Sequence, residues 1–254
     1  MFLKRGFSHP HVVTREDAPF TTPSDLVGRR VGIDSWDSSI MVWLRGMFTD
    51  AYGLDESALR WVLAEDPPPN TSVINWEPLP EHDSVVVDPG WTGQELIDGV
   101  QRPLRASERR LLALLVSGDL DAVLCTTIPQ GPGLRCLFGD RLEQAEADWH
   151  RSTGVYPINH TLAVQAETLA DRPKLADDLI GAFRAARRKA GDPTPTLARE
   201  TAIAGADPFA YTYGAQERNA LERFIAYHVA QGLIDRPFDP DELFTVPHTP
   251  TTTA

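Results

Sequence analysis

Three groups of side chains in this sequence could do chemistry. The first is Asp37-Ser38-Ser39, where a short apolar strand carrying Val31 and Ile33 runs into a helix. Apolar residues continue through Ile40, Val42, Trp43, Leu44, Met47 and Phe48 at mostly helical spacing. A helix start leaves backbone N–H groups unpaired and carries a partial positive charge. Hydroxyls there either cap the helix or join those N–H groups around an anion. Ser38 and Ser39 are therefore expected to cradle a carboxylate, with Asp37 as the cap; an ordinary N-cap is the plainer alternative. The second group is Thr126 and Thr127, between the apolar run ending at Leu124 and Pro129. Strand C-terminal ends are where α/β sheets place ligands, and an ordinary turn is the alternative. The third group is histidine, which titrates near neutral pH and suits proton transfer. His9 and His11 lie two apart on a segment read as extended, so they share one face. His160 stands beside Asn159. A core histidine bonded to backbone is the other reading of His160. A His9/His11 metal pair has no third ligand at suitable spacing, and no metal is expected.

These groups need elements to position them. The spacing predicts strands over 11–13, 30–33, 59–63 and 119–124. It predicts helices over 38–52, 107–117, a segment ending at Thr153, 174–189 and 218–231. Gly53, Gly118 and Gly232 stop three of them. Residues 156–164 read as extended, and 65–83 and 193–196 as Pro-rich loops. The tail 247–254 is Thr/Pro-rich and expected to be disordered. Strands alternating with helices predict an α/β chain with a parallel or mixed sheet. The strands are concentrated before residue 165, and the remainder of the chain is almost all helix. Arg45 lies nearly two turns into its helix and is expected to be structural.

Composition narrows the function classes. Hydrophobic residues make up 42% of the 254, enough for a full core. The net charge of −12, with no basic stripe, argues against a nucleic-acid partner. Arg184, Arg187, Arg188 and Lys189 end a predicted helix, where cations complement its dipole. Cys125 and Cys136 make neither a disulfide framework nor a zinc pattern, and Cys125 is expected to be a buried small hydrophobe. Residues 1–10 lack an apolar signal-peptide core and no run reaches transmembrane length, so a cytoplasmic location is expected.

Several stretches form a pattern: Asp25-Leu26-Val27-Gly28-Arg29-Arg30-Val31-Gly32, Tyr52-Gly53-Leu54-Asp55 and Ser117-Gly118-Asp119-Leu120-Asp121-Ala122. More specific are Tyr156-Pro157-Ile158-Asn159-His160-Thr161 and the closing run from Gln231-Gly232-Leu233 to Glu242-Leu243-Phe244. Together, over about Phe2 to Phe244, they resemble the 4,5-dihydroxyphthalate decarboxylase family. It implies a type II periplasmic-binding-protein-like fold, with two α/β lobes joined by two crossover strands and the ligand between them. On that pattern 14–154 form a complete lobe, while 1–13 and 155–254 are the crossovers and the helical remainder of the other. The other lobe's opening strand–helix–strand segment would then be missing before Met1, through a misplaced start or a truncated gene, or be supplied by a homo-oligomer or a partner chain.

The resemblance also implies an activity: decarboxylation of an aromatic carboxylic acid such as 4,5-dihydroxyphthalate, with no organic cofactor. His160 would be the proton donor or carboxylate partner and His9 a second one. Ser38, Ser39, Thr126, Thr127 and Asn159 would bind substrate. The alternative is a non-catalytic solute-binding protein for a small anion, because fold alone does not select function.

Overall fold

The computed structural model describes residues 1–65, 75–80, 88–97, 100–190, 195–205 and 207–244. The main strands are β1 (Phe2–Arg5), β2 (Val12–Arg15), β3 (Arg30–Ile33), β4 (Arg60–Leu63), β5 (Trp76–Pro78), β6 (Ala122–Leu124), β7 (Leu134–Cys136) and β8 (Ile158–Thr161). The helices are α1 (Ser39–Tyr52), α2 (Ala106–Ser117), α3 (Leu142–Thr153), α4 (Ala166–Asp171), α5 (Leu175–Ala190), α6 (Pro195–Ala204) and α7 (Ala215–Ala230). The chain divides into two units. One is Phe7–Asp148 with Ala226–Arg236, and the other is Met1–Gly6 with Trp149–Ile225 and the described residues from Pro237.

The larger unit is built on a six-stranded mixed sheet in the order β7-β2-β6-β3-β4-β5. β3 runs parallel to β4 and β6, and β5 runs parallel to β4. β2 is antiparallel to β6 and β7. This is the α/β class with a mixed sheet that the sequence pattern predicts. Val31, Ile33, Val62, Val123 and Leu124 are buried, as central strands covered on both faces require. At Gly32 a Cβ would come within 2.8 Å of the Leu111 and Leu120 side-chain ends, so a larger residue would have to push these leucines aside. All of α1 from Ile40 to Phe48 is buried. It ends at Gly53, whose φ of 60° is left-handed, as a C-cap demands.

Arg45 is enclosed within this packing and is structural, as expected. It donates to Glu56 Oε2 at 3.0 Å and to the Trp36 carbonyl at 2.9 Å, and stacks over the Trp36 ring. Cys125 is fully buried, also as expected.

Two sequence expectations fail in this unit. His9 and His11 do not lie on an extended segment: His9–His11 is one turn of 3-10 helix, and β2 begins only at Val12. Pro10 fixes a φ that suits such a turn. The Pro-rich stretch 65–83 is not all loop, because Trp76–Pro78 pairs with β4 as the sheet's edge. Proline is tolerated at an edge, where its missing N–H breaks no ladder. The rest of that stretch, 66–74 and 81–83, lies outside the described residues.

In the smaller unit β1 pairs antiparallel with β8, with Lys4 opposite His160 and Arg5 opposite Ile158. The buried Arg5 guanidinium ties this ribbon to its surroundings. It donates to Glu217 Oε1 at 2.7 Å, the Tyr156 carbonyl at 3.0 Å and the Pro208 carbonyl at 3.2 Å. Tyr156 O–H donates to Glu200 at 2.6 Å. Helices dominate after residue 165, as predicted. α6 begins at Pro195, inside the expected loop, since proline at a first turn loses no helix bond. The tail 247–254 lies outside the described residues. No helix among the described residues is long and apolar enough to cross a membrane.

Candidate functional site

The register of the sheet creates the site. β3 and β6 are parallel neighbours that end together, Ile33 opposite Leu124. The next residues, Asp34 on one strand and Cys125-Thr126-Thr127 on the other, therefore emerge side by side at the C-terminal ends of two central strands. Asp34 is fully buried. Its Oδ2 accepts from Thr126 Oγ1 at 3.0 Å, from Thr126 N at 3.3 Å and from the Arg105 guanidinium. Arg105 is the N-cap of α2 and also bonds Thr126 Oγ1.

Glu108, one turn into α2, is the second fully buried acid. Its Oε2 accepts from Arg105 N at 2.8 Å, which caps the helix. Its Oε1 accepts from Thr127 N at 2.8 Å and lies 3.2 Å from Thr126 Oγ1. One hydroxyl hydrogen serves one acceptor at a time. Two buried carboxyls thus share Thr126 and a single guanidinium. Burial pushes Asp34 up to about 6, Arg105 opposes this and the Glu108 charge adds to it. Burial also pushes the Cys125 thiol up, so it stays a thiol at neutral pH.

Three buried polar atoms cluster in sequence just beyond β3. Asp34 Oδ1, Trp36 Nε1 and Ser38 Oγ have no hydrogen-bond partner among the described residues. Buried polar groups are normally satisfied, so such orphans point to a ligand or a solvent molecule. The N-cap of α1 is Ser38 rather than Asp37, which is exposed. The Ser38 side chain makes no capping bond. An exposed carboxylate keeps its hydration at position 37, and the extended backbone of Ser38, with ψ of 145°, starts the helix instead.

The histidines fall out differently. His9 is 1% exposed, with its ring edge-on to Phe138 at 5.2 Å and Phe7 at 6.1 Å. Burial lowers its pKa to about 3, so at neutral pH it is an uncharged imidazole. His11 Nδ1 lies 2.8 Å from the Cys125 carbonyl, a backbone tie. His160 is exposed on β8. Asn159 donates from Nδ2 to the Gly6 carbonyl at 3.4 Å, and its buried Oδ1 has no partner among the described residues.

His9, Ser38, Ser39, Thr126 and Thr127 belong to the larger unit, Asn159 and His160 to the smaller. Within the larger unit, Thr126 and Thr127 are gathered with Asp34, Arg105 and Glu108. The sequence reading missed those last three. Two signals were legible: a carboxylate directly after an apolar strand, and a Glu at the third position of an otherwise apolar-faced helix. No three His, Cys, Asp or Glu side chains among the described residues form a metal-holding group.

A groove of about 420 Å³ in the smaller unit is lined by Arg184, Arg187, Arg188, Phe209 and Tyr211. Arg184 donates to the Ala210 carbonyl, and Arg187 to Asp207 and the Phe209 carbonyl, so these two hold the groove wall together.

No family model matches the chain. It is similar to a 4,5-dihydroxyphthalate decarboxylase of Comamonas testosteroni, 28% identical, covering 96% of this chain and 74% of the relative. It is also similar to a protein of the same name from Pseudomonas putida, 26% identical over 60% of this chain and 54% of the relative. These matches agree with the family resemblance read from the sequence. Among solved structures it aligns with the periplasmic aliphatic sulphonate binding protein SsuA of Escherichia coli, 12% identical, TM-score 0.46, covering 94% of this chain and 67% of that one. It also aligns with the desulfurization enzyme DSZB, 19% identical, TM-score 0.31, covering 96% and 74%.

Proposed function

We propose that this chain is a decarboxylase-like protein acting on an aromatic carboxylic acid such as 4,5-dihydroxyphthalate, without an organic cofactor. The observation that carries this reading is the similarity, over nearly the whole chain, to a relative of that name. Such a reaction breaks the bond between ring and carboxylate. Carbon dioxide leaves and a proton takes its place on the ring carbon. A protein assists by holding the acid and by delivering that proton.

In this reading Ser38 and Ser39, with the N–H groups opening α1, hold a carboxylate. The buried Ser38 hydroxyl without a partner supports that role. Thr126 and Thr127 line the neighbouring strand end, and Asn159 offers its unpaired carbonyl oxygen. His160, exposed on β8, delivers the proton. His9, uncharged in its apolar surroundings, contributes as a neutral imidazole rather than as an imidazolium.

The test is incubation of the purified protein with 4,5-dihydroxyphthalate, following carbon dioxide and 3,4-dihydroxybenzoate. Turnover is expected, and His160→Ala should abolish it with the fold intact, since the side chain is exposed. Near-normal turnover in that variant would remove His160 from the mechanism. Binding without turnover would favour the alternative, a carrier of small anions. A folded sample that neither binds nor converts the acid would overturn the reading.

A further inference from the structure

We propose that Arg105 is the residue that grips the ligand's carboxylate, its guanidinium held from behind by Asp34 and Thr126. The inference rests on the aromatic-acid reading above for the identity of the ligand, and on the geometry of the larger unit for everything else.

A guanidinium has five N–H donors in a rigid fork. Arg105 uses Nη2 on Asp34 and Thr126. Its Nε stands 3.8 Å from Glu108 Oε2. Its Nη1 meets no acceptor among the described residues. The Arg105 side chain is 45% exposed, whereas those of Asp34 and Glu108 are fully buried. The acids sit inside and the cation reaches out past them.

Two arginines of the same unit show what a purely structural guanidinium looks like here. Arg45 is fully buried, with donors on Glu56 and the Trp36 carbonyl. Arg135 donates to the carbonyls of Glu16, Ala18, Phe20, Cys136 and Leu137. Both spend Nη1 and Nη2 on the protein, whereas Arg105 spends only Nη2.

The placement fits the role. Arg105 opens α2 at the C-terminal ends of β3 and β6, where sheets of this class receive ligands. Glu108 takes its short bonds from the backbone N–H groups of Arg105 and Thr127 and meets the guanidinium on its Nε side at 3.8 Å, so neither acid uses Nη1. Asp34 is then a positioning residue that fixes the plane of the fork. With Nη2 so anchored, Nη1 keeps its two N–H donors for charge-assisted hydrogen bonds to a carboxylate.

The experiment is calorimetric binding of phthalate and 4,5-dihydroxyphthalate to the full chain and its variants. Arg105→Met should weaken binding about tenfold or more, the range of charge-assisted bonds. Arg105→Lys keeps the charge but loses the separate outward Nη1, and should fall between. Because Arg105→Met leaves buried Asp34 without its cation, the deciding variant is Arg105→Met with Asp34→Asn. It should match the wild type by circular dichroism and still show the loss. A folded double variant binding both acids within about twofold of the wild type, less than one good hydrogen bond, would overturn the proposal. Wild-type turnover with unchanged KM in the Arg105 variants would overturn it while leaving the decarboxylase reading standing. Failure of the folded wild type to bind any aromatic carboxylate would overturn both.

Discussion

Acidification should cost this protein stability through His9. The ring is 1% exposed against Phe7 and Phe138, and burial lowers its pKa from 6.5 to about 3. In the unfolded chain the imidazole takes up a proton below about pH 6.5. In the folded protein it does not do so until about 3. Between these values the unfolded state binds more protons, so stability falls as pH falls. The contribution is complete above the unfolded pKa and erodes downward through the window. At about 1.4 kcal/mol per unit, a shift from pH ~7.5 to pH ~5 removes about 2 kcal/mol through this one group.

Asp34 works in the opposite direction. Its pKa is raised to about 6, so its contribution is present below its unfolded value and lost as pH rises through 6. The wild-type curve alone therefore mixes the two. Comparison with His9→Leu isolates the histidine. Urea denaturation followed by tryptophan fluorescence suits the purpose, because Trp36, Trp43, Trp61, Trp76 and Trp91 share a unit with His9. Between the two pH values the wild type should lose about 2 kcal/mol more than the variant. Equal losses would mean that the imidazole is hydrated in the folded state, and the burial argument would fail.

Two packing predictions concern α1. A Cβ on Gly46 would lie 2.3 Å from the Tyr227 ring, whose O–H donates to Asp50 at 2.7 Å. Gly46→Ala should therefore destabilise by about 1–3 kcal/mol despite alanine's better helix propensity, and an unchanged or higher melting temperature would refute that contact. Glu56→Gln strips buried Arg45 of its charged partner and should cost about 3 kcal/mol by chemical denaturation. Adding Arg45→Met should restore most of it, and a double variant no more stable than Glu56→Gln would show that the ion pair is not the cause.

The local framework was legible because it depends on neighbours in sequence. The apolar runs of β3 and α1, the stop at Gly53 and the burial of Cys125 all stem from side-chain periodicity and backbone freedom. So did the expectation that ligand chemistry gathers at residue 38 and at Thr126. The errors were local as well. Pro10 made a turn where two histidines suggested an extended face, and an edge strand formed beside prolines because an edge forgives a missing N–H.

Tertiary structure alone decided what the polar side chains do. Thr126 reaches Asp34 across 92 residues and Arg105 reaches it across 71. No spacing in a single sequence reveals that two strands end in register, or that a helix cap delivers a cation to those strand ends. Histidine as a residue type titrates near neutrality, and the surroundings of His9 remove that property: an imidazole among aromatic rings loses the hydration that stabilises its charge. Sequence by itself determined the α/β framework, whereas Asp34, Arg105 and Glu108 were gathered only by the fold. Burial and long-range hydrogen bonding determined which of them carry charge and which keep donors free, because solvation and pairing belong to the folded surroundings and not to the residue.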